Sequence, residues 1–313
     1  MRRISDRRGQ SGFTLVEMVV AITITAILAG IVALFIRLPL QGYFDVARRA
    51  ELTDEADLAL RRMARDVQGA LPNSVRVATV GGVTYLEFLA VRTGGRYRTG
   101  PGGAPGQGGS AACPAGSVAG YNDALEIGAA DTCFHTLGAT PNLGTVTAAD
   151  WLVINNLSSD PLASPDASAY AGPGGGSNRI GLTAVPTSGG GANWEDRFTF
   201  GGVGGYAFPL ASPSSRFFIV SGPVTYACAP AVGGGTLVRH AGYTITAAQP
   251  TPPTVIPVML ATGVTACSIT YDASAAATRN GVVTINLTLT RRDPNNNAES
   301  VSLYAQAHVV NAP

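Results

Sequence analysis

Three patterns of apolar and polar positions follow one another along the 313-residue chain. Between Met18 and Ile36 there is no charged residue. At about 1.5 Å rise per residue the stretch from Phe13 to Ile36 reaches roughly 36 Å, enough for a hydrocarbon core of about 30 Å. A membrane-spanning helix is therefore predicted over 13–38. The second pattern is helical but amphipathic and covers 39–71. Val46, Ala50, Ala56, Ala59, Met63, Val67 and Ala70 recur at three- or four-residue steps or their multiples, while Arg48, Arg49, Asp54, Glu55, Arg61, Arg62 and Arg65 fill much of the rest. This spacing predicts a buried stripe and a wet face, with Asp57 and Arg61 as a favourable i, i+4 pair. Pro39 is expected to bend or interrupt the join between the two helical stretches, and Pro72 to close the second.

From Asn73 onward the period drops to two. In "VVTINLTLT", Val283, Ile285, Leu287 and Leu289 point one way, and Thr284, Asn286, Thr288 and Thr290 the other. "VSLYAQAHVV" repeats the alternation, and the polar "RRDPNNNAES" between them predicts an antiparallel hairpin. Further strands are expected in "SVRVATV", "VTYLEFLAV", "DWLVINNL", "RFFIVSGPVTYAC", "LVRHAGYTIT" and "VTACSITYD". An amphipathic helix followed by such strands predicts an α+β domain, 72–313, with the helix laid on an antiparallel sheet.

Composition narrows the classes of function. Charged residues make up 13% of the chain and the net charge is +1, so no global field draws the protein to nucleic acid, and no nucleic-acid partner is expected. Every basic residue is Arg, which removes P-loop and Schiff-base lysine chemistry. After residue 70 there are eleven Arg against twelve Asp plus Glu, and Arg92, Arg96 and Arg98 form the one cluster among them. The Gly- and Pro-rich segments "RTGPGGAPGQGGS", "ASPDASAYAGPGGGSN" and "TSGGGAN" read as surface excursions, and none has the strand–loop–helix setting of a dinucleotide site. No cofactor is expected.

Residues with catalytic or ligating chemistry are few. His135, His240 and His308 are far apart in sequence, and nothing in their spacing suggests a metal. Glu195 and Asp196, beside Trp194, are an adjacent carboxylate pair in a Gly-rich setting, which is expected to face solvent. There is neither a G-x-S-x-G elbow nor an H-E-x-x-H helix. The chain reads as a non-enzyme. Cys113, Cys133, Cys228 and Cys267 are an even set without a C-x-x-C pair, which points to an oxidising compartment. Four cysteines permit three pairings. Cys113 with Cys133 and Cys228 with Cys267 is favoured because each pair then flanks a loop-rich insertion, with buried thiols as the alternative.

The N-terminus carries the most specific signal. Residues 1–12 hold Arg2, Arg3, Arg7 and Arg8 against Asp6, and by the positive-inside rule this flank stays cytoplasmic while the chain beyond Arg37 lies outside the inner membrane. A cleavable secretory signal has an apolar core of roughly 7 to 15 residues followed by a small-residue site; here the core is longer, and Gly12 precedes it. The order "GFTLVE" in Gly12, Phe13, Thr14, Leu15, Val16 and Glu17 resembles the class III leader of type IV prepilins and type II secretion pseudopilins. The resemblance implies that prepilin peptidase cuts between Gly12 and Phe13 and that the new Phe13 amine is methylated. Thr14-Leu15-Val16-Glu17 also fits the T-x-x-E capping box. A carboxylate in a membrane segment is costly and usually finds a partner. The resemblance supplies one for Glu17, the N-terminal amine of a neighbouring subunit.

The segments "GYFDVARRAELTDEADLALRRMARDVQGALPNSVRV", "RFFIVSGPVTYAC" and "ESVSLYAQAHVVNAP" resemble the MshO group of mannose-sensitive haemagglutinin type pilus biogenesis proteins. That resemblance implies a low-copy minor pilin that initiates or caps a filament, with the major pilin, other minor pilins and the inner-membrane assembly platform as partners. The J-type minor pseudopilin of type II secretion shares the leader and the large strand-rich domain. A tip adhesin, a DNA-uptake pilin and a surface enzyme are the remaining readings.

Overall fold

A computed structural model describes residues 12–100, 113, 124–172, 177–188, 195–276, 280–292 and 296–312. The chain divides into two compact units, Met1–Glu51 and Leu52–Pro313. One helix, α1 (Leu15–Gln68), supplies the first unit and enters the second. It continues through Pro39, where the sequence predicted a bend or an interruption. A helical proline removes a single main-chain hydrogen bond, and here that loss does not end the helix. Most of the basic leader lies outside the described residues.

The second unit is built on strands. In chain order these are β1 (Arg76–Val80), β2 (Val83–Arg96), β3 (Cys133–His135), β4 (Trp151–Ile154), β5 (Arg179–Gly181), β6 (Arg197–Thr199), β7 (Arg216–Ala229), β8 (Gly235–Ala241), β9 (Val258–Ala276), β10 (Asn280–Arg292) and β11 (Ala298–Val310). Among the described residues, one antiparallel sheet runs in the order β1-β2-β7-β8-β9-β10-β11. The expected C-terminal hairpin is present, with Val283 opposite Ala307 and Leu289 opposite Val301. "LVRHAGYTIT" is strand only to Ala241, and β3, β5 and β6 are too short for a period-two signal.

The helix covers one face of this sheet. Leu52, Ala56, Ala59, Leu60, Met63, Val67 and Ala70 pack against Leu86 and Phe88 of β2, Val224 and Tyr226 of β7, and Val283, Ile285, Leu287 and Leu289 of β10. The predicted stripe is corrected at its start, because Val46 and Ala50 are exposed, whereas Leu52 is buried. Glu55 also leaves the predicted wet face. Its Oε1 accepts the Thr262 N–H at 2.7 Å, and its Oε2 pairs with Arg291. Asp66 makes a second clamp, accepting from the Tyr226 hydroxyl at 2.7 Å and from Arg239 Nε at 2.8 Å.

Residues 97–215 form an insertion between the paired strands β2 and β7. Strand β4 pairs with β7 from Phe217 to Val220, and β8 pairs with it from Val224 to Ala229. The two share one edge of β7, on either side of Gly222. That residue has φ +128°, a conformation L side chains rarely adopt, and the β2 register shifts there. A second core fills the insertion: Phe134 lies 5.5 Å from Phe198 and 5.2 Å from Phe217, centroid to centroid. A third gathers Leu71, Leu89, Val153, Tyr170 and Val220. The segment 163–178 is therefore no simple surface excursion, since Ala167, Ser168, Ala169 and Tyr170 are buried and the Tyr170 hydroxyl donates to Ser74 O at 2.9 Å. Most of "RTGPGGAPGQGGS" and "TSGGGAN" lies outside the described residues.

Candidate assembly site at the N-terminal helix

Thr14 and Glu17 set the start of α1. The Glu17 N–H donates to Thr14 Oγ1 at 3.3 Å, and Glu17 Oε2 accepts from the Thr14 N–H and hydroxyl, each at 3.2 Å. This is the reciprocal capping box, which satisfies two main-chain donors that the first turn otherwise leaves open. Glu17 also places negative charge at the positive end of the helix dipole. Both residues remain exposed, so the carboxylate is reachable by a further cation.

Past this cap, Leu15–Ile36 is a 22-residue apolar span of mean hydropathy 2.8, none of it buried. Phe13 is 81% exposed and Leu34 69%. A helix apolar all round with no cover from its own chain needs lipid or other helices around it. Its few hydroxyls are satisfied locally: Thr23 donates to Val20 O at 2.9 Å and Thr25 to Ala21 O at 2.7 Å. Nothing polar on those side chains is left to disfavour a hydrocarbon medium. Gly12 is exposed, and a Cβ there would meet nothing within 4 Å. The Gly12–Phe13 peptide is thus flanked by open residues.

The remaining sequence candidates do not assemble into a second site. Glu195 and Asp196 are buried, not solvent-facing. Glu195 pairs with Arg98, with Nε at 3.0 Å, while Asp196 accepts the Thr140 N–H at 2.6 Å. Both act as struts of the insertion, and Trp194 lies outside the described residues. His135 and His240 are buried, with His240 Nδ1 3.1 Å from Val255 O, and His308 is exposed on β11. Among the described residues, no three His, Cys, Asp or Glu groups converge as a metal would require. The cysteines join as Cys113–Cys133 and Cys228–Cys267, with Cα separations of 5.6 and 6.5 Å. The first ties the loop residue Cys113 to β3, and the second ties β7 to β9.

Several buried charged residues carry no signal in the sequence pattern, Asp131, Asp150 and Arg179 among them, and Glu87 is the one set in a polar cluster on the main sheet. Glu87, 1% exposed on β2, accepts from Arg76 Nη2 at 2.6 Å and from Thr225 at 3.4 Å. Arg76 in turn lies 3.6 Å from the Tyr170 ring centroid, and Tyr243 reaches Thr225 at 2.5 Å. Burial pushes the Glu87 carboxyl up from its ordinary value, and the Arg76 guanidinium opposes that shift. A lone carboxylate inside the apolar run "VTYLEFLAV" is the signal that could have found it.

Residues 7–33 match the family described as the prokaryotic N-terminal methylation motif. No curated protein and no solved structure matches the chain. The motif together with the apolar helix supports a type IV pilin-like or pseudopilin protein, a structural rather than catalytic role, and a single-pass membrane anchor. A prepilin-type leader implies processing by prepilin peptidase and partners in filament assembly.

Proposed function

We propose that this chain is a minor pilin that helps initiate or cap a type IV pilus of the mannose-sensitive haemagglutinin type. The observation that carries the reading is the methylation motif at 7–33, fused to an apolar helix that its own chain leaves uncovered and followed by a large disulfide-bonded domain. Prepilin peptidase removes residues 1–12, Phe13 becomes the methylated N-terminus, and the domain faces the periplasm before it enters the filament. Residues 13–38 act as the membrane and assembly segment, 39–71 as the amphipathic extension and 72–313 as the presented domain. Glu17 receives the Phe13 ammonium of a neighbouring subunit, and the apolar helix packs among the helices of the major pilin and other minor pilins as the assembly platform extracts it. The finer placement rests on the resemblance of residues 42–77, 216–228 and 299–313 to the MshO group. A J-type pseudopilin uses the same leader and the same Glu17 pairing in a secretion pseudopilus.

The test is Glu17→Gln. An amide still accepts the orphan N–H of the capping box, so helix initiation survives. It cannot neutralise an ammonium in a low-dielectric medium, where removing one partner of a desolvated pair typically costs about 3–5 kcal/mol. The expected outcome is normal cleavage, read as a mature mass starting at Phe13, with loss of co-purification with partner pilins and of surface pili. Normal assembly would reduce Glu17 to its cap. An uncut wild-type chain, or one cut after Ala29, would overturn the pilin reading itself.

A further inference from the structure

Beyond the bulge at Gly222, strands β2 and β7 carry a set of arginines that belongs to none of the hydrophobic cores, beside Phe218 at the margin of the third. The register sets Gly94 opposite Phe218 and Arg96 opposite Arg216. Alternation along each strand then puts Gly94 and Arg96 on one face of β2, with Phe218 and Arg216 beside them on β7. Arg92 stands at the bulge just before. These side chains, with Leu137, line a groove of about 600 Å³.

Two features of this groove suit an anionic ligand, an unneutralised charge pair and an open floor. Like charges directly opposite on neighbouring strands destabilise a sheet, and Arg96 and Arg216 are such a pair. Arg92 is neutralised by Asp150, whose Oδ1 accepts from its Nε at 2.9 Å. Among the described residues no carboxylate lines the groove or pairs with Arg96 or Arg216. The domain has no general excess of arginine to explain the clustering, with eleven Arg against twelve acidic residues after position 70. The second feature is Gly94. A Cβ there would lie 2.8 Å from Phe217 O and 3.2 Å from Phe218 Cδ1, so no side chain can stand between Arg92 and Arg96 without displacing β7.

We propose that this groove is a binding site for a phosphate monoester carried on a flat apolar or ring-shaped body. Two guanidiniums with no counter-ion among the described residues match the dianionic charge of a phosphate monoester at neutral pH, and each guanidinium presents the paired donors that phosphate oxygens accept. Phe218 and the half-exposed Leu137 give the body of the ligand an apolar wall. The site is independent of the filament role, since none of its residues belongs to α1.

The test uses the full chain in a neutral detergent, titrated calorimetrically with phenyl phosphate, phenyl sulfate and inorganic phosphate. Saturable binding of phenyl phosphate is expected, tighter than the singly charged sulfate ester and tighter than inorganic phosphate, and weakening with added salt. Arg96→Gln and Arg216→Gln should each lower the affinity at least tenfold, while Arg62→Gln on the helix leaves it unchanged. Without ligand, either groove variant should melt at a higher temperature than the wild type, because the opposed charges are gone. That gain also certifies that the variants fold. No saturable binding, affinity unchanged in both groove variants, or sulfate bound as tightly as phosphate would overturn the proposal. Inorganic phosphate binding as tightly as phenyl phosphate would overturn the apolar wall.

Discussion

Residues 15–36 and 52–68 belong to the same helix, yet they solve opposite problems. In the first stretch every residue is exposed and the surface is apolar all round. In the second, a stripe from Leu52 to Val67 is buried under the sheet, and Glu55 and Asp66 clamp its flanks to strands. The backbone is one; what differs is where the partner atoms come from. For residues 52–68 they are in the same chain, so folding alone satisfies them. For residues 15–36 they must come from a membrane or from other subunits, which is why the proposed function gives this stretch the assembly role, while the sheet-packed stretch is part of the domain's own core.

The disulfide Cys228–Cys267 lies in the domain alone and should give the largest difference between the two stretches. Cys228–Cys267 closes a loop across 39 residues of sequence separation, and chain entropy for that length gives about 4 kcal/mol. Replacing both with Ala should lower domain stability by about that amount in denaturant titration and leave helix insertion unaffected. A matched pair of truncations sharpens the contrast. Met63→Ala, in the fully buried stripe, should cost about 2–5 kcal/mol of domain stability. Ile27→Ala, at a position 62% exposed, should cost the domain nothing and should instead weaken co-purification with partner pilins. Equal effects of the two on domain unfolding would mean that the helix halves are not divided in this way.

The same division explains what was legible in the sequence. The apolar run, the T-x-x-E cap and the alternation of β10 and β11 were readable because each element's neighbours are fixed by its own period. Glu55 and Asp66 were not, because a helix pattern records which face is wet on average and cannot show that a carboxylate at its edge meets Thr262 or Arg239 some two hundred residues later. Glu195 and Asp196 failed for a related reason. Their Gly-rich surroundings suggested solvent, whereas Arg98 and the Thr140 N–H enclose them from a distant part of the insertion. The strands β3, β5 and β6 have three residues each, too few to carry a period. Their place is set by the aromatic cluster around Phe134, a tertiary fact. The assembly role proposed for Glu17 rests on the motif around it alone, since its local geometry is fully accounted for as a cap.

A smaller effect separates clamps from surface pairs. Glu55→Ala removes the acceptor of the Thr262 N–H together with the partner of Arg291, and should cost about 1–2 kcal/mol, allowing for the partial exposure of the pair. Asp57→Ala, two residues on, removes only the exposed pair with Arg61 and should leave the unfolding midpoint unchanged. Both carboxylates looked alike in sequence; only the one that reaches the sheet should register.

The finest test asks whether the buried carboxylate on β2 helps the domain in the way the clamps do. Glu87 is faced by Arg76, Thr225, Tyr243 and Tyr170, and burial raises its pKa above the ordinary 4.5 in spite of Arg76. A raised folded pKa means that the folded state holds the proton more tightly than the unfolded chain does. The stability contributed by this group is therefore fully present below about 4.5 and is lost as pH rises through the higher folded value. Glu87→Gln removes the titration and keeps the shape. The stability of the wild type relative to Glu87→Gln should accordingly be greatest near pH 4 and fall as pH rises, reaching a plateau above the folded pKa, in denaturant titrations from about pH 4 to about pH 7. The two proteins differ only in this carboxyl, so the slope of the difference belongs to Glu87. A relative stability that rose with pH would show that the Arg76 pairing outweighs desolvation, and Glu87 would then act on the sheet as Glu55 acts on the helix.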